Sequence, residues 1–567
     1  MMKFQAVLQR VFVPCAIMMA IATAAKSADI RIDQARVKQG DTTTTYFNLK
    51  VTESSLTEAE WRDALSASEY TKTNAVLAKL NAARLTIDKV EIETRAADTR
   101  STTIIHDINF ASITDGRANA GATGRGETRL VKGRDREVTS FDRITLRNAA
   151  LALPQRPANG SLPIALGEAI IDNIRNDSGK NSAYAIRTVR AENIRGSALD
   201  DAVITVLGLV GDRDFDALTP LEKSAAAKAL GEVYNAFEIG RIVAEDIAFR
   251  DGQERTTLTR MTMEGGIKPN LILTGVEVQI GAETTRIGEL RFDDFSLEPT
   301  IKSLLAALGD PNSKNEPPLA ELLPRLGTIA LSDMSVKGLQ VGAYGGETAL
   351  KSFKLQFNNP MGGVPTGMRI SFDGLAAGLN PNDPSSAELL ALGYRRIDAA
   401  GAIEMDVDKA RDLLSFREIS LSMKDAGTLH ISGSIGKISE VVQATDSSEA
   451  TLAAMGLTIK TLGIGIANEG LFERVIAKNA KESGKSPDQV KREIASLAAL
   501  GLPGLLGASP QAKSITEAST RFLAKPERIV FAFKSKSTEG VGLADIINIG
   551  KPDDFFALTD VTIQAGR

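Results

Sequence analysis

The chain has 567 residues, 43% of them hydrophobic and 24% charged, with a formal net charge of −4. That balance describes folded material too long for a single core, and a mildly acidic chain without a basic run offers no footprint for nucleic acid. Two histidines, one tryptophan and six tyrosines leave little for an imidazole-based zinc site or a ring-lined sugar cleft, so hydrolase and lectin readings start at a disadvantage.

Residues 1–24 read as a secretory signal. Lys3 and Arg10 precede an apolar run from Val11 to Ala25, and Ala22 and Ala24 put small residues where a signal peptidase reads. The run holds Pro14 and falls short of the roughly 20 residues a spanning helix needs. Cleavage near Ala25 removes Cys15, the only cysteine, and takes the net charge to −6 through loss of Lys3 and Arg10. The mature chain is therefore expected in the periplasm, without disulfides and without a transmembrane span. An uncleaved leader acting as an inner-membrane anchor is the alternative.

Residues 25–160 read as an N-terminal β region with a helix near 57–81 that carries Trp61. Residues 161–445 read as a repeated-strand region with short helical insertions. Ile239 to Phe249 aligns without gaps on Ile287 to Leu297 and on Leu326 to Val336, with looser copies starting at Phe141, Ile186 and Asp553. Apolar residues fall at positions 4, 6, 9 and 11 of each copy. Position 8 is Asn148, Asn193, Asp246, Asp294, Asp333 or Asp560. In a regular strand, positions 4 and 6 face opposite to 9 and 11. One extra residue near position 8 would bring all four to one face, as a β-bulge does, and Asp or Asn tolerates the backbone angles required. A tight turn at position 8 is the other reading. The Asp is structural either way.

Thr219-Pro220 opens a helix reaching about Phe237, and shorter helices fit 299–308, 318–325 and 385–392. Residues 446–567 form a helical segment that returns to strands. Two helices fit 469–482 and 487–500, a third 511–523, and a strand 528–533. The apolar stretch Ile494, Leu497, Leu500, Leu502, Leu505 and Leu506 is the candidate ligand-binding segment. It fits a buried hairpin plugging the end of a sheet, which asks for least, a helix lying on a membrane, or the lining of an acyl-chain cavity.

No catalytic motif emerges. Asp212, Asp214 and Asp216 resemble the opening of a calcium loop. The sixth position is Ala217 instead of glycine, however, and the twelfth is Lys223 instead of glutamate. The bland reading is an acidic approach to the helix at Thr219. Gly121 to Gly126 matches no nucleotide-binding loop. His106 beside Asp107 reads as a surface residue. His430 alternates with Leu429 and Ile431 and should face away from what they pack against. Asp406 and Asp408 share a strand face, ordinarily a solvated one. No cofactor is indicated.

Leu392 to Ile397, Ile419 to Leu429, Asn468 to Phe472 and Glu482 to Pro526 resemble an uncharacterised family of exported alphaproteobacterial proteins, which brings no activity with it. The strand Gly427 to Gly433 and the repeated bent strand resemble AsmA-type envelope proteins. That resemblance implies a long curved β-sheet with a hydrophobic groove and a role in lipid handling. The expected fold is mainly β with helical insertions: an elongated, twisted, curved antiparallel sheet with a helical C-terminal segment. The leading functional reading is a non-enzymatic periplasmic protein binding or shielding a lipid or other apolar ligand, which calls for an apolar sheet face left open. An envelope scaffolding protein with a closed core is the alternative, partnered by another envelope protein. A carboxylate-based hydrolase is the second.

Overall fold

The computed structural model describes residues 28–566 apart from 40, 67–69, 97–98, 134, 157–159, 179–181, 213–218, 266–269, 295–326, 342–343, 362–363, 440, 442–450, 452 and 508. The chain is mainly β, with 24 strands, antiparallel in every described pairing, and helices that include a C-terminal group. It divides into two compact units, Met1–Gly281 with Arg291–Arg325, and Ala282–Leu290 with Leu326–Arg567. The leader and the helices expected over 299–308 and 318–325 lie outside the described residues.

In the first unit, β1 (Ala28–Gln39) and β2 (Thr42–Ser54) lead into α1 (Glu58–Ser66) and α2 (Tyr70–Leu77). The single helix expected near 57–81 is thus two. Thr57 and Glu60 cap α1 reciprocally, and the Thr73 hydroxyl donates to the Ala64 carbonyl at 3.3 Å, holding the second helix against the first. β3 (Ala82–Ala96) and β4 (Thr99–Thr114) form a long hairpin. β5 (Arg117–Thr123), β6 (Gly126–Lys132), β7 (Asp135–Phe141) and β8 (Arg143–Ala150) follow, then β9 (Ile164–Asp177) and β10 (Ser182–Gly196). β4 forks, with Thr99–Ile105 pairing with β6 and Asn109–Thr114 with β5. His106 and Asp107 sit at that fork, both exposed, and Asp107 has φ 53°.

α3 (Asp201–Asp212) and α4 (Pro220–Ala236) precede β11 (Phe237–Asp251), β12 (Glu254–Glu264) and β13 (Asn270–Ile280). α4 begins as its sequence foretells, with Pro220 at the first turn and a capping box between Thr219 and Glu222. One cluster of 35 buried apolar side chains unites β1 to β5, α1, α2 and β8 to β12, with Trp61 fully enclosed. The free space beside Tyr46, Leu77 and Phe110 is about 20 Å³, room for roughly one water.

The repeated pattern is a bend with one backbone signature. Asn148, Asn193, Asp246, Asp294 and Asp333 all have φ between 50 and 53°, the left-handed region. The four apolar positions do share a face: Ile144, Leu146, Ala149 and Leu151 all belong to the core, as do Ile242, Ala244 and Ile247, with Phe249 packed against them. The bulge differs from the expectation in one respect. Ile186 pairs with Ile247 and Thr188 with Glu245, so register is unchanged across Arg187 and Asp246. Both strands carry the extra residue at the same level, and the face flips on both together. Glycine at position 2 makes room for the next bend, since a Cβ on Gly240 would stand 2.9 Å from the Asn193 Cβ, and one on Gly288 would stand 3.0 Å from that of Asp333. The copy expected from Asp553 is not a bent strand. Pro552 opens a helix with Asp553 and Asp554 in its first turn, and Asp560 lacks the positive φ.

β14 (Glu283–Asp293) straddles the division between the units. The second unit continues with β15 (Thr328–Val341), β16 (Tyr344–Met361), β17 (Val364–Leu379), the short α5 (Ala387–Ala391), β18 (Arg396–Asp408), β19 (Leu413–Met423), β20 (Gly427–Gly436) and β21 (Thr458–Asn468). Three helices follow, α6 (Leu471–Ser483), α7 (Pro487–Leu506) and α8 (Pro510–Ala524). The chain then ends through β22 (Arg528–Ser535), β23 (Val541–Gly542), α9 (Leu543–Ile547), α10 (Pro552–Leu558) and β24 (Thr559–Ala565). α7 and α8 start at Ser486-Pro487 and Ser509-Pro510, each serine accepting from a backbone N–H of the first turn.

Candidate functional site

The strands of the second unit alternate with period two, so register decides which apolar residues line up. Ile329, Leu355, Ile370, Ile403, Ile419, Ile431, Ile464, Phe531 and Ile563 stand opposite one another in unbroken succession across nine strands from β15 to β24. A second row runs beside it through Leu331, Phe353, Phe372, Gly401, Leu421, Leu429, Ile466 and Ile529. A third runs through Phe357, Met368, Met405, Phe416, Gly433, Leu462, Phe533 and Val561. The Phe372 ring lies over Gly401, where a Cβ would come within 2.7 Å of it. Glycine in the row lets the aromatic lie down across the sheet.

None of the nine residues in the first row is buried; each is half-exposed. In the second row Leu421, Leu429 and Ile466 are 50, 37 and 44% exposed. At ~4.8 Å between strands and ~6.7 Å between alternate residues, the three rows cover a strip roughly 38 Å by 13 Å. That is on the order of 500 Å², the upper end of what a monomer leaves open.

The opposite face is polar. Arg369 pairs with Glu404 at 3.0 Å and reaches Glu418 at 3.8 Å, while Arg417 pairs with Asp406. Asp408 accepts from the backbone N–H groups of Ala410 and Arg411 at 3.0 and 3.1 Å, so Asp406 and Asp408 serve an ion pair and a turn. His430 lies on this face, opposite in direction to Leu429 and Ile431 as their alternation requires. It is exposed beside a 260 Å³ trough left where Gly463 and Gly465 lack side chains.

Among the described residues, cover over the apolar rows is confined to their ends. Ala512 and Ile515 of α8 pack with Phe533, Val561, Phe531 and Leu462, burying the close of the third row. Leu389, Leu390 and Leu392 pack with Leu379, Tyr394 and Ala426 at the strand ends. Among the described residues, none of the buried apolar clusters of this unit includes Ile403, Ile419 or Ile431 in the middle of the strip.

The stretch 494–508 is not a buried hairpin. It continues α7 to Leu506, through Pro503. Ile494 packs against Ile476, Ala480 and Val490, and Leu506 against Phe533 and Phe556. Leu502 is half-buried, whereas Leu497, Leu500 and Leu505 are 70, 81 and 72% exposed. A helix this apolar has two faces, and α6 and α8 take only one. Of the acidic run, Asp212 ends α3, while Asp214 and Asp216 lie outside the described residues. Among the described residues no three of His, Cys, Asp and Glu gather at metal-binding distance. No described helix is long and apolar enough to cross a membrane.

Sequence reasoning passed over the apolar strip. Its signal was present as the alternations Ile403, Met405, Val407 and Ile529, Phe531, Phe533, but only register turns such alternations into continuous rows. The chain finds no match among curated proteins. A family described only as an uncharacterised protein matches residues 420–566, from the end of β19 through the C-terminal helices to β24.

Proposed function

We propose that this is an exported protein of the cell envelope that acts without catalysis, holding a lipid acyl chain or similar apolar ligand along the open face of the second unit. One observation carries the reading: nine strands present apolar side chains in unbroken register on a face that stays half-wetted. A strip on the order of 38 Å long suits chains lying across the strands, where every strand contributes one contact and no single residue dominates. The polar, ion-paired opposite face keeps the other side of the sheet in water. The amino-terminal apolar run supports export, and the resemblance of the bent strands to AsmA-type proteins supports a lipid as the ligand.

Lipid mass spectrometry on the mature chain, purified from the periplasm without detergent, tests this. A stoichiometric phospholipid or fatty acid is expected in the native protein. It should fall at least about tenfold in the triple variant Ile419→Ser, Ile431→Ser, Ile464→Ser, which removes three adjoining side chains of the first row. A folded, lipid-free native protein would sink the proposal, as would equal lipid in both proteins.

A further inference from the structure

The last turns of α7 expose Leu497, Leu500, Gly501, Gly504 and Leu505 along one side. A Cβ built on Gly501 or Gly504 would meet nothing within 4 Å, so the face is open along its length. No charged residue occurs between Glu493 and Lys513. Single exposed leucines are ordinary, but three within nine residues of one helix, 70 to 81% exposed, are not. The surrounding charge selects the occupant. Residues 471–525 hold nine Lys and Arg against five Asp and Glu, a net +4, which leaves the rest of the chain at −8. Arg492 borders Leu497 and Leu500 together with Glu493, which pairs with Lys485 at 2.7 Å, while Lys481, Lys513, Arg521 and Lys525 are exposed nearby in sequence. An apolar helix face on a segment of net positive charge, on an otherwise acidic chain, fits an anionic bilayer surface.

We infer that the C-terminal half of α7 docks on anionic membranes, with Leu497, Leu500 and Leu505 inserted below the headgroups and Arg492 and Lys513 among the phosphates. The helix lies on the surface and does not span it. This stands whether or not the sheet face holds lipid, because it rests on different residues.

Flotation of the mature chain with phosphatidylethanolamine–phosphatidylglycerol vesicles, against pure phosphatidylcholine vesicles, tests it. Binding to the anionic vesicles is expected, and it should weaken with salt. Leu497→Glu, Leu500→Glu, Leu505→Glu should weaken it by at least about tenfold. Arg492→Glu and Lys513→Glu should each cost roughly fivefold. Circular dichroism checks that the leucine variant is folded, and Leu500→Gln serves if it is not. Native protein that stays off anionic vesicles overturns the inference. So does a leucine variant that floats like the native protein. Self-association of the native chain that these leucine changes abolish, without vesicle binding, overturns it in favour of a second copy.

Discussion

Both units build their strands by the same rule and end with opposite faces. In the first, Ile174, Ile186, Ile247 and Leu258 form one register row and are 2, 3, 1 and 9% exposed. In the second, the row through Ile370, Ile403, Ile419 and Ile431 has the same chemistry and the same pairing, yet every member is half-exposed. The difference is cover. In the first unit α1, α2 and strands from β1 to β12 share one core around Trp61. In the second, the described helices reach only the ends of the rows. An apolar row is therefore a core or a binding surface according to what else the chain lays across it.

The sharpest way to break this comparison is to truncate matched residues. Ile247→Ala should cost about 2–5 kcal/mol, because a cavity opens in a closed core. Ile403→Ala should cost less, about 1–2 kcal/mol, because its side chain is only partly buried and no closed cavity is left behind. Urea titration followed by circular dichroism reads both, and equal costs would mean that the second face is covered after all.

A smaller effect tests the closed core by pH. Burial pushes the Tyr46 phenol up from 10.0 to about 12, so the fold favours the neutral form. Its contribution is present in full below pH 10 and is lost as pH rises from 10 towards 12. At 1.36 kcal/mol per pH unit the loss is about 3 kcal/mol. Tyr46→Phe should flatten that part of the alkaline stability curve; an unchanged curve would place the loss elsewhere.

The smallest effect concerns the bend that both units share. Asp246→Ala should cost about 1–2 kcal/mol, since alanine resists the left-handed region, whereas Asp246→Gly should be near neutral. The exposed pairing with Arg187 adds little. Thermal melts of the two variants separate these outcomes, and equal losses would assign the cost to the ion pair instead of the backbone.

Much of this fold was legible. The parity argument at position 8 placed the bends at Asn148, Asn193, Asp246, Asp294 and Asp333, because backbone strain leaves a residue-type signature that pairing does not erase. Helix starts at Thr219 and Ser486 were legible for the same reason, capping being local. Asp553 misled because apolar spacing outweighed the Pro552 beside it. The stretch at Leu497 and Leu500 misled differently: hydrophobicity was read as burial, and burial depends on neighbours far along the chain.

The sequence alone determined the class of fold, the bends and the alternation that gives each strand an apolar side, since these follow from residue geometry within a few positions. The tertiary structure decided that Ile403 meets Ile370 and Ile419, that the rows join across nine strands, and that no described helix crosses their middle. Those are matters of register and coverage, fixed by contacts between segments tens to hundreds of residues apart, and no local pattern encodes them.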